Sequence, residues 1–254
     1  MILILAMVLL IGTCSGVTMS GSTTVLPLGV ALSEAYTKDK VDVSGGGTGA
    51  GIQMAATGST DIAMASRLIT PDEKQEFSEG VVGTLIGYDG LCFIASNEVG
   101  VNKLTQEQVK GIYAGNITNW KQLGGIDHEI VPVGREDGSG TKDSFLKDIM
   151  GDPKAFTDGE MIRCGSSAEI LLVVKQTPGA IGYVGFSFVK GVHVFMYENV
   201  TPSKETIQSQ IYSLARPLYL YRVNTSTEDI EDFIKYASSP EGQQVALDTG
   251  FIPV

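Results

Sequence analysis

The chain has 254 residues, of which 43% are hydrophobic, and its formal net charge at pH 7 is −11. This length allows one large domain or two smaller ones, each with its own core. The acidic charge argues against nucleic acid as a partner, because the sequence has no basic stretch that could displace counterions from a phosphate backbone.

The N-terminal stretch Met1–Ile11 is almost entirely aliphatic. It is too short for a bilayer-spanning helix, which needs about 20 residues, but it matches the apolar core of a secretory signal peptide. Cys14 follows shortly behind it, as in lipoprotein cleavage sites, although no basic residue precedes the apolar run. Residues 1–19 are therefore predicted to export the protein and tether it to the outer face of the cytoplasmic membrane. A buried N-terminal strand is the alternative.

Two loops rich in glycine and hydroxyl groups come next, each ahead of a helical pattern. The first, Gly21–Val25, contains Thr23 and Thr24, and the second, Gly45–Gly51, contains Thr48. A helix N-terminus of this kind presents backbone N–H groups and hydroxyls to an anion. So many glycines lose much backbone entropy on folding, which favours a close approach of the backbone to a ligand as the reason for them.

A strand of small residues, Asp61–Arg67, follows the second loop and ends on Ser66 and Arg67. Arg67 has two interpretations. Its guanidinium adds a second charge-assisted contact to the anion, or it pairs with an acidic neighbour at a lobe interface.

The segment Arg135–Thr141 combines the features of the earlier loops with a fixed cation. An apolar strand precedes it and a helical pattern follows it, so it is predicted to be a strand, a tight glycine turn and a helix start. Arg135 supplies a planar fork suited to two oxygens of a phosphate or carboxylate, and Asp137 is close enough to orient that fork. The helix entrance contributes donors from Ser139, Gly140 and Thr141.

A serine hydrolase is the rival class of function. Ser139 and Lys142 form an S-x-x-K pattern, but the companion motifs S-D-N and K-T-G do not occur, and the two histidines lie in uninformative settings. Cys92 and Cys164 have no metal-binding spacing, and a disulfide between them remains open. The sequence thus favours a binding protein over an enzyme, with no metal and no cofactor.

Several motifs in one order resemble the phosphate-binding proteins of high-affinity phosphate ABC transporters, the PstS family. They are SGSTTV at Ser20–Val25, GGGTGAGI at Gly45–Ile52, DIAMASR at Asp61–Arg67 and GREDGSGT at Gly134–Thr141. Further blocks fit the same family, namely Leu104–Gly125, Pro178–Val184, Ala215–Tyr221 and the ending from Ser238. The resemblance covers nearly all of the chain after about residue 20.

The resemblance implies an α/β fold of the type II periplasmic-binding-protein class, with two lobes joined by two crossing strands. We place the first crossing near Leu91–Asn97 and the return near Val189–Tyr197. Lobe one is then residues 20–93 plus 194–254, and lobe two is residues 94–193. Strand-like and helical runs alternate along the sequence, which independently favours βαβ units.

The resemblance also implies a function: a monomeric, extracytoplasmic, non-enzymatic receptor that binds inorganic phosphate and delivers it to ABC permease subunits. Another tetrahedral oxyanion, such as sulfate, molybdate or tungstate, is the alternative ligand. Carried over by position, the expected phosphate-binding residues are Thr23, Thr24, Thr48, Ser66, Arg67, Arg135, Asp137, Ser139, Gly140 and Thr141.

One departure from the family concerns selectivity. Well-known members have an aspartate where this chain has Ser66, and that carboxylate accepts the proton of hydrogen phosphate, which sulfate lacks. A serine hydroxyl can accept or donate, so it discriminates less. Asp137 is the candidate for the missing acceptor and Glu136 a poorer one, while Ser166 and Ser167 are expected to close the site from lobe two.

Overall fold

The computed structural model describes residues 16–96, 99–152 and 161–254, so Met1–Ile11 and Cys14 of the predicted export segment lie outside the described residues. The strands are β1 (Val17–Gly21), β2 (Val41–Gly45), β3 (Ile62–Ala65), β4 (Val81–Ala95), β5 (Lys103–Leu104), β6 (Val131–Arg135), β7 (Ile162–Cys164), β8 (Ala180–Gly185), β9 (His193–Val194), β10 (Met196–Tyr197) and β11 (Ala215–Val223). The helices are α1 (Leu26–Ala35), α2 (Thr48–Ala56), α3 (Pro71–Gln75), α4 (Gln106–Tyr113), α5 (Gly140–Phe145), α6 (Ser167–Gln176), α7 (Lys204–Gln208), α8 (Glu228–Ala237) and α9 (Pro240–Asp248). Shorter helical turns lie at Trp120–Leu123, Leu146–Met150 and Phe186–Phe188.

The sheet that runs through both lobes has the strand order β2-β1-β3-β11-β4-β8-β6-β7. Strand β1 pairs in parallel with β2 and β3, and β6 pairs in parallel with β7 and β8. Parallel neighbours need a crossover connection, and helices such as α1, α2 and α6 supply it. The alternating α/β pattern predicted from the sequence is thereby confirmed. Strand β1 includes Val17–Met19, which the sequence analysis assigned to the export segment.

Strand β4 joins the two lobes. Its first part, Val81–Gly90, pairs with β11, and its last part, Leu91–Ala95, pairs with β8. The change of partner falls at the start of the predicted crossing Leu91–Asn97, whose last residue lies outside the described residues.

The chain re-enters lobe one through β11, which begins at Ala215, beyond the predicted return near Val189–Tyr197. Before that point, β9 pairs with the end of β4 and β10 pairs with β5. Tyr212 donates its hydroxyl hydrogen to the carbonyl of Leu91 at 2.8 Å. The segment ahead of β11 therefore packs on lobe two.

The core of lobe two is rich in aromatic side chains. Trp120 stacks on Phe195 with ring centroids 5.7 Å apart, and Phe145 stacks on Tyr183 at 4.4 Å. The indole N–H of Trp120 donates to the carbonyl of Gly179 at 2.9 Å. A buried indole needs both packing and a hydrogen-bond acceptor, and Trp120 has both. The stacking of Phe145 on Tyr183 holds α5 against β8. Within the described residues, no helix is long and apolar enough to cross a bilayer.

The two described cysteines are buried free thiols, so the disulfide that the sequence left open is not formed. Burial raises the pKa of Cys92 well above its ordinary value and the pKa of Cys164 to about 11. Because the thiolate is the nucleophile, we expect both to react slowly with maleimide at neutral pH in the native protein and quickly after denaturation. Peptide mapping by mass spectrometry after timed labelling would check this. Rapid native labelling of either residue would contradict it.

Candidate anion-binding site

The N-termini of α1, α2, α5 and α6 meet where the two lobes face each other. The loops leading into them follow the carboxyl ends of β1, β2, β6 and β7, which is where α/β sheets bind ligands. The first N–H groups of each helix have no acceptor within their own helix. This interface therefore collects backbone donors and the positive ends of helix dipoles from both lobes.

Buried hydroxyl side chains line the same interface. They are Thr23, Thr24, Thr48, Ser66, Ser139, Thr141 and Ser167. Burying a hydroxyl without a hydrogen bond costs about 1 to several kcal/mol. Each hydroxyl of such a cluster therefore needs a hydrogen-bond partner. The structure places together the six hydroxyl-bearing residues of the expected phosphate-binding set, and Ser167 with them.

Three of these hydroxyls form a row across the interface. Thr24 Oγ1 lies 2.9 Å from Thr141 Oγ1 and 3.1 Å from Ser167 Oγ. We call Thr141, Thr24 and Ser167 the hydroxyl row. The backbone N–H of Ser167 also donates to Thr23 Oγ1 at 3.4 Å, so α6 contacts the first loop directly. Ser166 instead caps α6, its side chain accepting from the N–H of Glu169 at 3.1 Å.

The second loop closes against α5. Thr48 Oγ1 lies 3.4 Å from Ser66 Oγ and accepts from the Ser66 N–H at 3.3 Å. Gly140 packs so tightly on this pair that an added Cβ would overlap Thr48 Oγ1 and lie 2.9 Å from Ser66 Oγ. The N–H of Gly49 donates to the carbonyl of Gly138 at 3.0 Å. These contacts describe two lobes that are closed on each other.

Arg135 is a buried cation beside the hydroxyl row. Its Nη1 donates to Ser167 Oγ at 3.1 Å, while Nε and Nη2 donate to the two oxygens of Glu136 at 2.8 and 2.7 Å. Contrary to the expectation from the sequence, Glu136 and not Asp137 holds Arg135. The side chain of Asp137 is 90% exposed and pairs with Lys142 at 2.5 Å, which lowers the pKa of Asp137 through that hydrogen bond.

The reason is the position of the turn. The pairing of β6 with β7 extends to Glu136, because the Glu136 N–H donates to the carbonyl of Cys164. The Glu136 side chain therefore lies alongside Arg135. Asp137 is the next residue, on the outside of the turn at Gly138, where φ is +81°. Asp137 therefore faces solvent and does not reach the buried hydroxyls as a proton acceptor.

Arg67 pairs with acidic neighbours, which is the second of the two interpretations that the sequence allowed. Its Nη1 and Nη2 donate to Glu73 at 2.8 and 2.7 Å, and its Nε donates to Asp143 at 2.7 Å. Burial acts to raise the pKa of Glu73, but the hydrogen bonds from Arg67 and Thr70 outweigh it, and that pKa is lowered. Since Asp143 belongs to α5, Arg67 forms an ion pair across the lobe interface.

Sequence reasoning missed a second buried arginine, Arg216, and its partner Asp89. The two residues lie directly opposite each other on β11 and β4. Arg216 donates to Asp89 Oδ2 from Nε at 3.1 Å and from Nη2 at 2.8 Å, and its Nη1 donates to Thr141 Oγ1 at 3.1 Å. Asp89 Oδ1 also accepts from the N–H of Phe186 at 2.8 Å. Charged residues inside two largely apolar strands were the available signal, because buried charges are paired.

The sequence matches the family model of the PBP superfamily domain over residues 11–241. The phosphate-binding protein PstS of Borreliella burgdorferi is 32% identical over 256 residues, which cover 94% of this chain and 90% of the relative. This chain belongs to the PstS family. The PstS protein of Bacillus subtilis is 29% identical, and the alignment covers 93% of this chain and 80% of the Bacillus subtilis protein.

Solved PstS-like structures agree in fold over the same extent. A phosphate ABC transporter substrate-binding protein from Clostridium perfringens, solved with bound phosphate, has a TM-score of 0.88 and 36% identity, covering 94% of this chain and 99% of its own. An ABC-type phosphate transport receptor from Vibrio cholerae has a TM-score of 0.76 and 32% identity, covering 94% and 100% of the two chains. The two-lobed periplasmic-binding fold is confirmed.

Membership of the PstS family makes this chain a binding protein and not an enzyme. The hydrolase alternative also lacks the geometry that it needs. Lys142 Nζ pairs with Asp137, and Ser139 Oγ accepts from the backbone N–H of Lys142 at 3.3 Å as the cap of α5. A general base would have to contact the serine oxygen through its side chain.

Proposed function

We propose that this PstS-family chain is an extracytoplasmic substrate-binding protein that captures inorganic phosphate for an ABC importer. The observation that carries the proposal is the convergence of buried hydroxyls, helix N-termini and the Arg135 guanidinium at one lobe interface. A tetrahedral oxyanion accepts hydrogen bonds on four oxygens in different directions, which suits donors from four loops. The bound phosphate of the Clostridium perfringens relative supports the same ligand.

Directed donors, and not excess positive charge, are proposed to hold the anion. Arg135 is paired with Glu136 and Arg216 with Asp89, so each buried cation near the hydroxyl row has its own carboxylate. N–H and O–H dipoles in a water-excluded site interact strongly with a buried charge. This arrangement is compatible with a chain whose net charge is −11.

The proton of hydrogen phosphate is proposed to be accepted by a hydroxyl oxygen. Ser66 stands where well-known members have an aspartate, and Asp137 points to solvent. Ser66 Oγ has lone pairs beyond its contact with Thr48 Oγ1 and is fully buried. Because a hydroxyl can also turn and donate, selectivity against sulfate is the property of this site that most needs measurement.

Calorimetric titration of residues 16–254, stripped of bound anion, tests the proposed function. We expect micromolar or tighter binding of phosphate that excess sulfate does not displace. If sulfate, molybdate or tungstate bound in place of phosphate, the fold assignment would stand and the ligand would be that oxyanion. No heat with any of these oxyanions would contradict the proposal.

The partners and the anchor are proposals of the same kind. The closed lobes would present phosphate to permease subunits, the receptor would act as a monomer, and an acylated Cys14 would hold it at the membrane. We place lobe one at residues 16–90 plus 215–254 and lobe two at residues 91–214, following the strand pairing of β4 and β11. Light scattering of the purified protein and mass spectrometry of the membrane-extracted N-terminal peptide would test the monomer and the anchor.

A further inference from the structure

The hydroxyl row has an arginine at each end. Arg216 Nη1 donates to Thr141 Oγ1 at 3.1 Å, and Arg135 Nη1 donates to Ser167 Oγ at 3.1 Å. Thr24 lies between the two, 2.9 Å from one hydroxyl and 3.1 Å from the other. All five side chains are buried.

The arginines constrain where the hydroxyl hydrogens point. A guanidinium can only donate, so Thr141 and Ser167 each accept one hydrogen bond from outside the row. The row has three hydroxyl hydrogens, and its two internal contacts use two of them. One hydrogen remains for an anion, and the arginine charge behind it makes that hydroxyl a stronger donor.

Arg216 differs from Arg135 in its place in the fold. It lies opposite Asp89 at the point where β4 passes from one lobe to the other, yet its guanidinium reaches Thr141 in lobe two. It thus connects the crossing strands to the hydroxyl row. Besides Asp89, two titratable groups of the described residues interact with its charge: Asp148, beyond the end of α5, and Cys92 on β4.

We propose that Arg216, held by Asp89, is a positioning residue that sets the ligand form preferred by the site: through Thr141 it favours the phosphate dianion over the monoanion. This inference rests on the proposed function. Asp89 binds the Nε and Nη2 side of the guanidinium, whereas Nη1 faces the hydroxyl row. The positive end of this neutral pair stabilises two negative charges on the anion more than one, and burial reduces the screening of that interaction. A residue that only maintained the fold would support both forms of phosphate equally.

The test is the pH profile of phosphate affinity for the wild type and for Arg216→Met, measured by calorimetry from about pH 5 to about pH 8, where phosphate loses its second proton. We expect wild-type affinity to rise with pH. For Arg216→Met we expect a loss of roughly tenfold to a hundredfold at the upper end, a smaller loss at the lower end, and hence a flatter profile.

Arg222→Met is the matched control. Arg222 lies on the same strand, is also buried and pairs with a carboxylate, Glu231, but it contacts no residue of the hydroxyl row. We expect this variant to be less stable than the wild type while keeping the wild-type pH profile.

A second variant covers the case in which Arg216→Met fails to fold because Asp89 is left buried without a partner. The double variant Asp89→Asn with Arg216→Met removes both charges together. Its preference for the dianion should fall between those of the wild type and Arg216→Met, because Asp89 opposes the arginine charge. If the profiles of phosphate affinity against pH were parallel for all the variants, whatever their absolute affinities, this inference would be overturned and the proposed function would stand. A wild type that binds no phosphate would overturn the proposed function and this inference with it.

Discussion

Replacing Arg135 with methionine is expected to weaken phosphate binding by about a hundredfold or more. Arg135 is 1% exposed and reaches the hydroxyl row through Ser167. Its loss removes a charge-assisted donor from a site that water does not screen, and it leaves Ser167 without the donor that fixes its hydroxyl. Calorimetric titration with phosphate measures the loss.

Two companion variants separate charge from geometry. Arg135→Lys keeps the charge but not the planar fork, so we expect an intermediate affinity. Glu136→Gln removes the carboxylate that neutralises Arg135, and we expect it to bind phosphate at least as well as the wild type. Thermal unfolding without phosphate should change little for Glu136→Gln, because that side chain is partly exposed. Wild-type affinity in Arg135→Met would show that the anion does not lie beside Arg135.

The predicted site residues that the structure brings together are those in which a strand, a loop and a helix are consecutive in the chain. The threonines of the first loop and the helix start Ser139–Thr141 lie between a strand and the helix that follows it, and backbone geometry then directs them to one edge of the sheet. Glycines mark the same loops, since close packing such as that of Gly140 leaves no space for a side chain. Local pattern was sufficient for these residues.

The parts that the sequence did not predict depend on contacts between distant segments. Arg216 and Asp89 are 127 positions apart and meet only through the register of β11 on β4 at the crossing. Which carboxylate holds Arg135 depends on whether the turn begins before or after Glu136, a difference of one residue. For Arg67, the sequence allowed an acidic partner at the lobe interface but did not identify it as Asp143, because that contact requires closed lobes. No spacing rule within one segment fixes any of these.

Placing an alanine at Gly140 is expected to reduce phosphate affinity roughly tenfold to a hundredfold by preventing full closure. The added Cβ would overlap Thr48 Oγ1 and lie 2.9 Å from Ser66 Oγ, and both of these neighbours are buried. The two lobes supply opposite sides of this contact, so the overlap arises only when they close. The unliganded protein should keep its stability, since alanine is a better helix former than glycine at the start of α5.

Gly49→Ala is the matched control, because Gly49 is the second residue of the facing helix α2 and meets the same interface from the other lobe. An added Cβ there would lie 3.5 Å from Gly138 Cα and from the Gly138 carbonyl oxygen, which is ordinary van der Waals contact. We expect its affinity to stay within a few-fold of wild type, and small-angle scattering with phosphate to show compaction in Gly49→Ala but less in Gly140→Ala. Equal affinity in both variants would mean that the contact of Gly140 with Thr48 is not needed for binding, and that the anion is held without complete closure. A difference confined to Gly140→Ala would instead show that the donors of both lobes must reach the anion together.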